Sequence, residues 1–197
     1  VAILGISGLY HDAAAAVVVD GEVVAAVQEE RLSRIKHDPA FPARATAACL
    51  EVAEVAPGDI EAVAYYDKPL TSFFRILRTY VAGGPRGMAT FPAAWREWTS
   101  TKLWVGYTTE KVLHTLGHRM PGRLLYAEHH ISHAAAAFFP SPFETACVIT
   151  SDGLGEWATS SVGRGSGSHV ELLEELRFPS SLGLLYSAFT YHCGFQV

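Results

Sequence analysis

Apolar and polar positions fall into two kinds of stretch. Short apolar runs close on glycine or an acid, and longer stretches carry helical spacing. Val1 to Ser7 is β-branched, apolar and followed by glycine, the pattern of a buried strand. The apolar runs Ala13–Val19 and Glu22–Gln28 flank Asp20-Gly21. Asp-Gly between apolar runs predicts a tight hairpin, because both turn residues must accept positive φ. Three adjacent strands are therefore expected at the start. Pro42 to Val55 predicts a helix, with Pro42 in its first turn and Ala45, Ala48, Cys49, Val52 and Val55 on one face. Pro57-Gly58 stops it, and Glu61–Tyr66 follows as a strand.

The middle of the chain is patterned differently. Residues 69–117 hold three of the four tryptophans and helical pieces broken by Gly83-Gly84-Pro85 and Pro92. They predict a mostly helical insertion, about 69–120. Beyond it the pattern predicts a short strand at Arg123–Ala127 and a helix at His129–Phe139, stopped by Pro140. A strand at Ala146–Ser151 ends at Asp152-Gly153. Strands at Trp157–Val162 and Val170–Arg177 flank a Gly/Ser turn at Gly163–Ser168, and a last helix spans Ser181–Cys193. Strand, loop, hairpin and helix thus occur at 1–55 and again at 146–193, a topological repeat without sequence identity. Repeats of this kind characterise the actin-like ATPase fold.

Composition narrows the function. Fifteen Lys+Arg against 20 Asp+Glu leave the 197 residues at −5, which disfavours broad phosphate neutralisation on a nucleic acid. Hydrophobic residues make up 49%, which excludes general disorder. No apolar run approaches the roughly 18 residues of a membrane span, and no secretion signal opens the sequence. Cys49, Cys147 and Cys193 form no CxxC and read as buried thiols in a reducing cytoplasm. A start at Val1 and a stop within Cys-Gly-Phe-Gln-Val suggest part of a longer protein.

The densest chemical signal is Glu128-His129-His130-Ile131-Ser132-His133. On a helix, His129 and His133 share one face with Cβ atoms about 5–6 Å apart, suited to chelating one metal. Asp152, at the end of an apolar strand, is the candidate third ligand, since open α/β sheets place ligands at strand tips. Two imidazoles and one carboxylate leave positions open for substrate; chance spacing among nine histidines is the alternative. A second HxxxH, His114 and His118, lies in a polar helix end and reads as surface histidines. Gly153 and Gly155 in Asp152-Gly153-Leu154-Gly155 let backbone N–H groups approach phosphate, or simply make a tight turn. His11 follows the first strand, either as a proton acceptor or as a capped loop residue. Residues 29–38 (EERLSRIKHD) read as a solvated charged face, or as a cluster offering Arg31, Arg34 and Lys36 to an anionic or polyhydroxyl ligand.

Together these stretches resemble the O-carbamoyltransferase family that includes nodulation and antibiotic-tailoring carbamoyltransferases. The matching pieces are LGIS at 4–7, HDAAA at 11–15, Asp20-Gly21, EERLSRIKH at 29–37 and EHHISHA at 128–134. Phe138 with Ser141-Pro142-Phe143, DGLGEW at 152–157 and SLGLLYS at 181–187 complete the set. They stand in the family's order and cover nearly everything outside the insertion.

The resemblance implies an α/β, actin-like ATPase (ribonuclease H-like) fold: a mixed sheet with helices on both faces, plus the helical insertion. Residues 1–197 would be the amino-terminal part of the carbamoyltransferase domain, with the second half and the carbamoyl-phosphate domain outside this chain. It implies carbamoyl phosphate and ATP as co-substrates, a carbamoyl-adenylate, and transfer to a hydroxyl of a small-molecule acceptor such as a natural product or sugar. By position, His129, His133 and Asp152 match the metal ligands, usually for Fe(II), with Mg or Zn as alternatives. Asp152, with Gly153 and Gly155, would face the nucleotide. His11 matches the general base, and Lys36, with Arg34 nearby, an acceptor-binding position. The partners implied are the acceptor and the remainder of the enzyme; it is the hydropathy that argues against a membrane and the charge that disfavours nucleic acid. Leu9 stands where some relatives carry an acid. A tRNA threonylcarbamoyl-transfer-like protein and a non-catalytic nucleotide-binding half-domain are the alternative readings.

Overall fold

The computed structural model describes residues 1–87 and 89–196. The chain divides into two compact units, Val1–Tyr66 with Gly83–Tyr126, and Asp67–Ala82 with Ala127–Val197.

The first unit opens with the expected meander: β1 (Ala2–Ser7), β2 (Ala14–Val19) and β3 (Glu22–Gln28). Asp20 and Gly21 take φ of 51° and 90°, as the tight turn demands. β4 (Ile60–Tyr65) and β5 (Leu124–Tyr126) extend the sheet in the order β3-β2-β1-β4-β5, antiparallel across the meander and parallel from β1 to β5. The sheet is thus mixed, as expected. Period-two burial turns Leu4, Ile6, Ala15 and Val17 inward, where they pack with Val63 and Tyr65.

After the short helix α1 (Glu29–Ser33) comes α2 (Ala43–Val52), which adds Ala45, Cys49 and Leu50 to that core. Two expectations shift here. Val52 is 65% exposed rather than core, because α2 ends there and Ala53 begins the turn. The acidic start of residues 29–38 is not wholly solvated. Glu29 is buried and accepts hydrogen bonds from the N–H groups of Arg44 (3.2 Å) and Ala45 (2.7 Å), capping α2 from outside its own sequence.

The tryptophan-rich stretch is helical as expected: α3 (Pro69–Gly83), α4 (Phe91–Ser100) and α5 (Val105–Thr115), with 3-10 turns at Gly84–Gly87 and Lys102–Trp104. Val105 and Leu113 join the first unit's core. His114 is exposed, but His118 is buried, which corrects its reading as a surface residue. Gly117 at φ 81° turns the chain so that the His118 N–H returns to the Leu113 carbonyl.

The second unit carries the antiparallel sheet β6 (Thr145–Ser151), β7 (Ala158–Ser166) and β8 (His169–Arg177), followed by α7 (Leu182–His192). Each unit thus contains a three-stranded meander followed by helix, the repeat read from the sequence. β7 continues through Gly163 and Gly165, with a register shift against β8 between Val162 and Gly163, so the turn is shorter than the expected Gly163–Ser168. Alternation along β6 buries Val148 and leaves Cys147 exposed; Cys193, past the end of α7, is also exposed. Only Cys49 among the three thiols is buried. Among the described residues, no helix is long and apolar enough to cross a membrane.

Candidate metal centre and its surroundings

α6 (His129–Phe138) lies in the second unit, and its packing explains how its histidines are presented. His130, Ala134 and Phe138, at i, i+4 and i+8, are the buried stripe. Ala134 and Phe138 pack with Val148, Ala146, Val170 and Leu172 of the meander. The Nδ1 of His130 lies 2.7 Å from Thr150 Oγ1 and 3.0 Å from Ser161 Oγ. With that stripe fixed, the neighbouring one carries His129 and His133 toward the tip of β6. Gly155 allows the approach: a β-carbon there would crowd His130, His129 and the Ala158 carbonyl. The Gly155 N–H donates to the Ala158 carbonyl at 2.9 Å, as in the tight-turn alternative.

Asp152 follows the last residue of β6. Its N–H bonds the Thr159 carbonyl, and its Oδ1 accepts from the Gly153 N–H at 2.6 Å. Ser181 donates to the Gly153 carbonyl at 2.8 Å and caps α7 by accepting from the Leu184 N–H. Gly183 is required by close approach, since a β-carbon would overlap the Asp152 carbonyl. The sequence reading assigned no role to Gly183, although it lies within the matched SLGLLYS run.

The structure brings His129, His133 and Asp152 together, with ligand atoms within 4.8 Å of one another. His129 Nε2 is 2.6 Å from Asp152 Oδ2, and His133 Nε2 is 3.0 Å from His129 Nε2 and 3.5 Å from Asp152 Oδ2. Hydrogen bonds to His129 and His133 hold the Asp152 carboxyl far below the usual range, so it is ionised. Burial opposes a charge on His129, but the bond and charge of Asp152, aided by Asp67 and Glu156, raise its pKa.

Protons alone satisfy this geometry poorly. If His129 Nε2 donates to Asp152, it has no lone pair for His133. If it accepts from His133, its lone pair faces the carboxylate. A single cation accepting all three lone pairs resolves the conflict, so these residues fit a metal. Asp12, Glu30 and His37, in the first unit, are also mutually within 4.8 Å. There the His37 N–H donates to Glu30 Oε2 at 2.9 Å and His37 Nδ1 lies 2.8 Å from Asp12 Oδ1, so ordinary hydrogen bonds account for the grouping.

A carboxyl pair supports α6 from behind. Glu156 is buried and accepts from the His129 N–H at 3.0 and 3.2 Å and from the Lys68 N–H at 3.1 Å. Asp67 accepts from the same Lys68 N–H at 2.7 Å and from Ser72 Oγ at 3.3 Å. Burial, then its bond and charge interaction with Glu156, push Asp67 up to about 6. Glu156 stood in a matched motif without a role, and Asp67 gave no sequence signal, being a lone acid after a strand.

The other expected site residues lie in the first unit. His11 is exposed in the loop after β1, with Nδ1 3.0 Å from Asp12 Oδ2. Its ring lies tilted against Tyr10, with centroids 4.4 Å apart, and the ammonium of Lys102 sits 5.0 Å from the Tyr10 ring centre. Arg31, Arg34 and Lys36 are exposed, with Arg34 in the left-handed region at φ 63°.

The family described as Carbamoyltransferase N-terminus matches residues 2–197. The chain belongs to that family. An uncharacterized protein, sll1178, from Synechocystis is 50% identical over 199 residues, covering 99% of this chain and 32% of its own length. Nodulation protein NolNO from Sinorhizobium fredii is 37% identical over 176 residues, covering 89% of this chain and 24% of its own length. The chain therefore spans a third or less of these relatives. Among solved structures, YeaZ from Pseudomonas aeruginosa is similar with a TM-score of 0.40 and 12% identity, covering 91% of this chain and 71% of that one.

Proposed function

We propose that the protein to which these residues belong is an ATP-dependent O-carbamoyltransferase. It would convert carbamoyl phosphate, water and ATP to carbamoyl-adenylate, releasing phosphate and pyrophosphate, and pass the carbamoyl group to a hydroxyl of a small-molecule acceptor. The observation that carries this reading is the convergence of His129, His133 and Asp152, within a chain of the carbamoyltransferase family.

His129, His133 and Asp152 would hold the cation, Fe(II) in the first instance, with Glu156 fixing the helix that supplies two of the three. When bound, the metal supplies charge neutralisation for phosphate oxygens. Asp152 stays ionised, with its Oδ1 held by the Gly153 N–H, and Gly153 would face the nucleotide without a side chain to obstruct it. In the transfer step the acceptor oxygen attacks the carbamoyl carbon, the bond from that carbon to the adenylate oxygen breaks, and AMP leaves. The hydroxyl proton passes to His11, whose imidazole would act as the general base. Arg34 and Lys36 would bind the acceptor.

The test is incubation of the full-length protein with carbamoyl phosphate, ATP and a panel of polyhydroxylated acceptors. Carbamoyl-phosphate-dependent formation of AMP and a carbamoylated product, lost in Asp152→Asn, is expected. ATP turnover that ignores carbamoyl phosphate, or transfer only to tRNA, would overturn the reading.

A further inference from the structure

We propose that Asp12 is a positioning residue that holds His11 and His37 as a matched pair, each protonated on Nδ1 with its Nε2 lone pair left as a base. One carboxylate oxygen serves each ring: Oδ2 is 3.0 Å from His11 Nδ1 and Oδ1 is 2.8 Å from His37 Nδ1. A carboxylate offers only lone pairs, so both nitrogens facing it must carry hydrogen. Neutral imidazole has one N–H, which leaves Nε2 as the acceptor on both rings. Bonds to both histidines, His37 the stronger, outweigh desolvation and keep the Asp12 carboxyl below its usual range, consistent with an ionised acceptor.

The backbone is arranged for this bridge. Asp12 and His37 are both non-glycine residues in the left-handed region, at φ 52° and 54°. Such conformations persist where their surroundings hold them. Here the surroundings do: the His37 N–H is tied to Glu30 Oε2, and the Ala13 N–H to the Asp38 carbonyl at 3.1 Å. The segment carrying His37 is thereby laced to the one carrying His11. The same logic operates wherever an acid fixes the tautomer of a catalytic histidine. The tautomers follow from the hydrogen bonds alone. Their use in removing a hydroxyl proton rests on the carbamoyl-transfer reading.

The experiment separates the two. Full-length protein labelled isotopically at histidine nitrogen is observed by long-range proton–nitrogen correlation, well above the imidazole range of pH. His11→Gln and His37→Gln assign the signals. Both rings should show pyrrole-type Nδ1 and pyridine-type Nε2. In Asp12→Asn, whose amide offers one acceptor and one donor, at least one ring should switch its proton to Nε2. His37→Gln, which leaves the Asp12–His11 bond intact, should keep His11 on Nδ1–H, so the inference is read even if Asp12→Asn folds poorly. Nε2-protonated rings in the wild type, or an unchanged pattern in a folded Asp12→Asn, would overturn the positioning role. In the transfer assay Asp12→Asn should lower kcat at least about 100-fold, with KM for ATP unchanged. Correct tautomers with no loss of kcat would leave the hydrogen-bond assignment standing and sink its use in proton removal. Absence of any transferase activity would sink the carbamoyl-transfer reading and leave the tautomer result intact.

Discussion

Replacing Asp67 by Asn tests the carboxyl pair behind α6. Asp67 is half-buried beside the buried Glu156, and burial with that neighbour raises its pKa from an ordinary 3.8 to about 6. The sign follows directly. An acid whose pKa is raised by folding stabilises the fold fully below the unfolded value, and that contribution is lost as pH rises through the folded one. Between about pH 4 and pH 6 the native state therefore loses stability on Asp67's account. The interval, at 1.36 kcal/mol per pH unit, sets a ceiling of about 3 kcal/mol. Partial solvent access to Asp67 reduces the expected effect to about 1–2 kcal/mol. Asparagine keeps the acceptor for the Lys68 N–H and supplies a permanent donor toward Glu156, so it mimics the protonated acid. Denaturant unfolding of metal-free protein should show Asp67→Asn more stable than wild type by that amount at about pH 7.5, and equal to it near pH 4. A variant that is no more stable at neutral pH, or whose advantage is the same at both, would show that Glu156 and burial do not hold the proton on Asp67.

Two further outcomes follow from packing. Glu29→Ala removes the acceptor for two backbone N–H groups at the start of α2, and should cost about 2–4 kcal/mol. Glu29→Gln, which retains one good acceptor, should lie between it and wild type; a neutral Glu29→Ala in chemical denaturation would contradict the cap. Gly183→Ala puts a β-carbon against the Asp152 carbonyl. It should cost about 1–3 kcal/mol and weaken metal binding together with stability. Unchanged metal affinity would show that α7 does not position Asp152.

The legible parts of this chain are those that depend on local spacing. Asp20-Gly21 fixes its hairpin through two φ angles, and the i, i+4 spacing of His129 and His133 puts both on one face once a helix forms. Their meeting with Asp152 was legible because a strand tip following the helix is a short-range arrangement. Long-range hydrogen bonding was not. Glu29 capping a helix 15 residues away, Glu156 bonding the His129 N–H across 27 residues, and Asp12 joining His37 across 25 all depend on tertiary placement. Periodicity carries no information on such pairings. His118 was misread for a related reason: Gly117 turns a residue of a polar segment inward, and polarity alone does not register that turn.

Convergence of His129, His133 and Asp152 on one cation is read out by anaerobic Fe(II) or Co(II) titration of the full-length protein against His133→Gln and Asp152→Asn, followed by absorption and equilibrium dialysis. The wild type should show a site whose affinity falls at least about tenfold in each variant, with the fold retained. Equal binding by wild type and both variants, or none by the wild type, would contradict it.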